Sequence, residues 1–221
     1  MGKFLLPLSD YNRIYQVTHG VLQEVPDATA ERACLFFAAV GGYVLNRCYK
    51  IRAQIVGGAF CFCLGDGGGE VATFGKLEDG QLVSGHDAFR VWLQTDTHII
   101  DFMAPIYRGA FADYPKSADL PHKMMQRRLD EEAPDLNALV HTGDFRYYAD
   151  PALTDKLLDG FLAKRFNEDL ITVATAWYGK RRTKQMPSFA IQDEKGRVTR
   201  LSLAATVATS SGNGRGIGAE H

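Results

Sequence analysis

The stretch Ser84-Gly85-His86-Asp87-Ala88-Phe89-Arg90-Val91-Trp92-Leu93-Gln94-Thr95-Asp96-Thr97-His98-Ile99-Ile100-Asp101 decides how this chain folds. It reads as two short strands rich in β-branched and aromatic residues, joined by a polar turn over residues 94–97. His86 opens the first strand and Asp101 closes the second, fifteen residues later. An antiparallel hairpin folds such positions back toward each other, and an odd separation puts both side chains on one face when the loop is even in length. The turn at 94–97, taken alone, sets a register with Asp101 near Arg90; a longer, asymmetric loop or a bulge would carry His86 to Asp101 instead. Asp101 sits among Ile99, Ile100, Phe102 and Met103, so its carboxylate needs a buried partner. His98 is the rival histidine, but three residues from Asp101 on a strand it faces the other way. The nucleophile that a histidine–aspartate pair would serve is found upstream, at Cys34.

Working outward, residues 9–25 form a helix with Tyr11, Ile14, Tyr15, Thr18, Val21 and Leu22 on one face. Residues 30–49 are apolar nearly all round, which marks a buried helix, and Gly41-Gly42 within it marks a close neighbour. For Cys34 to lie in the first turn, this helix starts at residues 30–33. Residues 51–64 have strand composition, with a bulge or bend at Gly57-Gly58. The cluster at 65–69 is a hairpin connection rather than a phosphate cradle, because a strand and not a helix follows it. Asp79-Gly80 signals a second hairpin. Beyond Pro105 the expectations are a short helix over 122–132, a loop over 135–150 and a helix over 151–170. Strands are expected over 169–178 and 188–203, the latter folded back at 193–196. The run at 180–184 reads as a solvated basic loop. The whole is an α+β fold: N-terminal helices, with a buried cysteine-bearing helix packed on an antiparallel sheet, in one domain over 1–208 and a flexible tail over 209–221.

Composition narrows the function. The chain has 221 residues, 46% of them hydrophobic, enough for one core. Twenty-five Lys and Arg balance 26 Asp and Glu for a net charge of -1, which argues against nucleic acid as a partner. No apolar run reaches membrane-spanning length, and the N-terminal apolar segment is too short for a signal peptide. Four cysteines do not make a disulfide framework in a chain of this size, so a reducing cytoplasm is the expected compartment. The histidines and cysteines show no metal-ligand spacing, and no cofactor motif stands out.

The order of cysteine helix, strand, histidine strand and aspartate strand resembles the papain-like cysteine proteinase superfamily. It is most similar to the transglutaminase-like and arylamine N-acetyltransferase-like branches. The resemblance is carried by Cys34 on its helix, the glycine-containing strand at 50–60, Gly85-His86, and Ile99-Ile100-Asp101 followed by Ala104-Pro105. The step from His86 to Asp101 matches those families, and the likeness covers residues 27–106. It implies a Cys34–His86–Asp101 triad acting on a small-molecule or peptide substrate. Cys34 would attack, His86 would activate it, Asp101 would orient the imidazole, and a thioester would form. Backbone N–H groups at the start of the Cys34 helix would form the oxyanion hole. The sequence departs from the pattern in having Ala88 where an aromatic is usual and no tryptophan after Cys34. Gln23, eleven residues before Cys34, is too distant for the usual glutamine donor. The alternative implied is an inactive scaffold that binds a ligand in the old cleft.

Overall fold

In the computed structural model, residues 4–25, 33–67, 70–85, 87–110, 122–179 and 185–209 are described. The quoted hairpin is present as β5 (Arg90–Gln94) and β6 (His98–Asp101), with Leu93 opposite Ile100 and Gln94 opposite Ile99. Its turn is closed by Thr95, whose hydroxyl accepts from the Thr97 and His98 N–H groups. β5 also pairs antiparallel with β1 (Gln54–Cys63). The far half of the same β1 edge pairs with β2 (Val71–Phe74). The opposite edge of β1 pairs with β8 (Phe145–Ala149), and β6 pairs with β7 (Met125–Arg128). The result is a curled antiparallel half-barrel ordered β2-β1-β5-β6-β7, with β8 alongside β1. Between them, β3 (Lys76–Glu78) and β4 (Gln81–Val83) make the hairpin expected at Asp79-Gly80; both turn residues have positive φ, 50° and 77°.

Side chains alternate across β5 and β6, and this splits the interior in two. Val91, Leu93 and Ile100 face the helices. These are α1 (Leu8–Leu22), α2 (Cys34–Val44) and, later in the chain, α5 (Arg165–Gly179). Trp92 and Ile99 point the other way, into the concave side of the sheet with Phe60, Tyr107 and Phe145. A fully buried large apolar side chain stabilises by about 1.5–3 kcal/mol, so both layers contribute to holding the hairpin. Gly41 lets α2 close on the sheet, because a Cβ there would lie 2.3 Å from the Phe102 ring. Gly58 serves the same purpose on β1, with the Tyr148 carbonyl oxygen of β8 at 2.0 Å from such a Cβ. Close approach, rather than a bulge, is what those glycines provide.

Several expectations need correction. The expected helix at 122–132 is mostly strand β7 followed by a 3₁₀ turn at Leu129–Glu131. Its local polarity is overridden by pairing with β6 and by Gln126. That buried amide accepts from the Leu5 and Leu6 N–H groups and donates to the Leu6 carbonyl. The expected strand at 169–178 lies inside α5. Its β-branched residues read locally as strand, but Ala174, Trp177 and Tyr178 are buried at helical spacing against the core. The expected loop at 135–150 contains β8. The expected helix at 151–170 breaks after α4 (Pro151–Leu162), which Asp150 caps by accepting from the Leu153 N–H. α2 begins at Cys34 and passes into a π-helical turn at Leu45–Tyr49 that Lys50 ends at φ 59°. Thr209, expected to open the tail, is tied down: its N–H donates to the His122 carbonyl, and its own carbonyl accepts from Met124. The basic run at 180–184 and residues 210–221 lie outside the described residues.

The remaining pieces follow expectation. β1 and β2, which flank the 65–69 cluster, pair antiparallel, with residues 68 and 69 outside the described residues, and β9 (Ser188–Gln192) and β10 (Val198–Ser202) form the C-terminal hairpin. Leu201, Ala204 and Ala208 complete the helical layer. Among the described residues no helix is long and apolar enough to cross a membrane.

Candidate functional site

Cys34 is the first residue of α2, preceded by Ala33, which offers no side-chain cap. An uncapped first turn leaves backbone N–H donors at a helix start. The backbone N–H groups of Val91 and Leu35 favour the charged form of the sulfur. Only 6% of Cys34 is exposed, and that part opens into a groove of about 610 Å³ between α1, α2, α4 and α5. Burial pushes the thiol up from its usual range. The nearby Arg90 guanidinium works against that rise, and Asp101 adds to it.

Behind this thiol lies a buried polar cluster. Asp101 Oδ2 accepts from Arg90 Nε at 2.6 Å and from the Tyr107 hydroxyl at 2.7 Å, while Oδ1 accepts from the Met103 N–H at 2.8 Å. Its backbone carbonyl accepts from the Tyr11 hydroxyl. The Arg90 guanidinium is stacked over the rings of Phe74 and Tyr107, at 4.8 and 4.6 Å. Burial opposes the arginine's charge, but Asp101 and Tyr107 outweigh it and hold the guanidinium firmly protonated. Burial, and then the Asp101 carboxylate, push both Tyr11 and Tyr107 well above the usual tyrosine range. Among the described residues, Arg90 Nη2 and Trp92 Nε1 are buried donors without a hydrogen-bond partner, both on the sheet face turned away from α1 and α2.

Of the three site residues expected from sequence, Cys34 and Asp101 are brought into one electrostatic neighbourhood through Arg90. His86 lies outside the described residues. Its neighbour Asp87 pairs with Lys76 of β3 at 2.8 Å, and Gly85 bridges to Ala88. The register seen in β5–β6 is shifted by two from the one the 94–97 turn implies: it puts Asp101 opposite Trp92, with Arg90 diagonal to it on the same face. His98 is buried, and its Nδ1 meets the Thr97 hydroxyl at 2.8 Å. Sequence reasoning missed Arg90 as a site residue. The available signal was an arginine inside an apolar strand, across a tight turn from an equally apolar aspartate. It also missed the α4–α5 wall of the groove: its residues, Leu153 to Leu170, fall within the helix expected at 151–170, but nothing in their local pattern shows that they face Cys34. Among the described residues no three His, Cys, Asp or Glu side chains gather in a way that could hold a metal.

Fold and groove together define an α+β protein in which a cysteine-headed helix packs on a curled antiparallel sheet. Residues 7–211 match the model of a family described as protein of unknown function (DUF2026), and the chain belongs to that family. It is also similar to a solved structure, "The crystal structure of genomics APC5867", at 28% identity and a TM-score of 0.80. That alignment covers 95% of this chain and 98% of the other. No curated protein matches.

Proposed function

We propose that the protein performs thiol-dependent acyl chemistry at Cys34, on a cysteine proteinase-like scaffold akin to the transglutaminase-like and arylamine N-acetyltransferase-like branches. The observation that carries this reading is the placement of Cys34. A thiol at a helix N-terminus, approached by two backbone N–H groups, opens into a groove large enough for a small molecule or peptide segment. Because burial keeps the thiol protonated, the proton leaves as the sulfur attacks rather than beforehand. His86 accepts that proton in this reading. The sulfur bonds to the acyl carbon, the leaving group departs with the proton, and water or an amine then releases the acyl group and restores the thiol. Arg90 supplies positive charge near the sulfur, and Asp101 holds Arg90 in place. All four cysteines are free, in keeping with a reducing cytoplasm.

The test is brief exposure to p-nitrophenyl acetate, acid quench and peptide mapping. The Cys34 peptide gains an acetyl group ahead of exposed Cys48, Cys34→Ser does not carry it, and His86→Ala slows its appearance. Ester cleavage that is unchanged in Cys34→Ser, or that leaves no adduct on Cys34, would refute the reading.

A second reading, an inactive scaffold that binds a ligand in the groove, is favoured by the raised thiol pKa and by the full engagement of Asp101. It predicts ligand binding with no acetyl transfer.

A further inference from the structure

The groove beside Cys34 has a lining that points to one class of occupant. Its walls carry Leu22, Phe36, Phe89, Leu157, Phe161 and Phe166 from four different parts of the chain. Phe166 is 55% exposed, a large aromatic open to solvent at the groove. Among the described residues that line the groove, the charged ones are Lys156 on α4 and Lys164 at the α4–α5 junction, and none is a carboxylate. Neither lysine is paired with a carboxylate among the described residues. An apolar trough with unpaired cations at its wall complements a molecule that has a hydrocarbon body and an anionic end.

We propose that this groove binds an amphipathic carboxylate, a medium-chain fatty acid. The hydrocarbon lies along the apolar walls and the anionic group is held by Lys156 and Lys164. The inference rests on the Cys34 reading only in that it names the acid which hydrolysis of the thioester would release in the same groove. A second protein surface is less well matched, because both lysines would then need carboxylates placed at the rim of an apolar contact.

The experiment is calorimetric titration of the full chain with octanoate, decanoate and dodecanoate, and with dodecanol as the uncharged analogue. Affinity rises by about threefold to fourfold per added methylene until the groove is filled. The double variant Lys156→Glu/Lys164→Glu weakens dodecanoate about tenfold and leaves dodecanol unaffected. Gly160→Phe blocks the trough and weakens both ligands at least tenfold. A Cβ at Gly160 meets nothing within 4 Å, so the helix has room for a side chain there, and a melting temperature no lower than that of the parent shows that the variant is folded. Absence of a chain-length trend, equal binding in the charge-reversed variant, or dimerisation through Phe166 in sedimentation overturns the proposal. The two readings fail separately. Binding without acetyl transfer to Cys34 sinks the acyl chemistry alone, and acetyl transfer without dodecanoate binding sinks the ligand class alone.

Discussion

Arg90 Nε and Asp101 Oδ2 meet at 2.6 Å with side chains 3% and 5% exposed, a buried ion pair linking adjacent strands of one hairpin. The pair lies diagonally across β5 and β6, and it organises the surroundings of Cys34. Two charges taken out of water are tolerated here because both have further partners. Asp101 also accepts from Tyr107 and Met103, and the Arg90 guanidinium lies over two rings.

Breaking that pair from either side leaves an uncompensated charge. Asp101→Asn and Arg90→Met are each expected to lower unfolding stability by about 3–5 kcal/mol in urea titrations. The double variant should lose much less than the two single losses added together. Additive losses would mean that the pair is not coupled.

The raised pKa of Cys34 has a kinetic signature. Its alkylation by iodoacetamide should be slow at pH 6 and still climbing above pH 9, where an ordinary small thiol has begun to level off. A plateau reached below pH 7 would instead reveal a preformed thiolate.

Alkaline stability follows from the same burial. Cys34, Tyr11 and Tyr107 have raised pKa values, Cys61 is pushed up to about 11 and Tyr15 to about 12. Above about pH 9 the unfolded chain loses protons that the folded chain keeps. Fewer protons bound in the unfolded state means that stability falls as pH rises. This contribution is intact below pH 8 and declines through pH 9–12. Melting temperatures that stay flat to pH 11 would contradict the assignment.

Two glycines should respond in opposite directions. Gly58→Ala drives a methyl group into the Tyr148 carbonyl of β8 and should cost about 1–3 kcal/mol or more. Gly160→Ala, in open space on α4, should stabilise by about 0.5–1 kcal/mol through helix propensity. Thermal melts of both variants decide the matter.

Gln126→Leu removes the amide that serves Leu5 and Leu6 and leaves their backbone groups short of partners. The expected loss is about 2–4 kcal/mol, with faster hydrogen exchange at the Leu6 N–H. Unchanged exchange at Leu6 would show that the N-terminal segment is held by other contacts.

Local signals were enough for much of this architecture. The turn chemistry at 94–97 and at Asp79-Gly80, and the periodicity of α1, report on neighbours within a few residues, where sequence and geometry are tightly linked. The same turn implied that Asp101 would sit near Arg90; the register is shifted by two, with Asp101 opposite Trp92, and Arg90 reaches the carboxylate diagonally. The buried helix that carries Cys34 was likewise legible from its apolar run, but that run places its start at about residue 30; only the requirement that Cys34 lie in the first turn moved the start toward Ala33, and the helix begins at Cys34 itself.

What the sequence could not determine were the choices made by distant partners. Residues 125–128 are polar enough for an exposed helix, yet become a strand because the β6 edge offers them backbone hydrogen bonds. Residues 169–178 are β-branched enough for a strand, yet are helical because the α1–α2 layer offers Trp177 and Ala174 a place to be buried. The groove at Cys34 and the burial that raises its thiol pKa depend on α4 and α5, more than a hundred residues away in the chain. Propensity and periodicity act over one or two turns, whereas desolvation and sheet pairing act over whatever the folded chain brings together. The elements around Arg90 and Asp101 were therefore set by sequence, and the chemistry of the thiol beside them by tertiary packing.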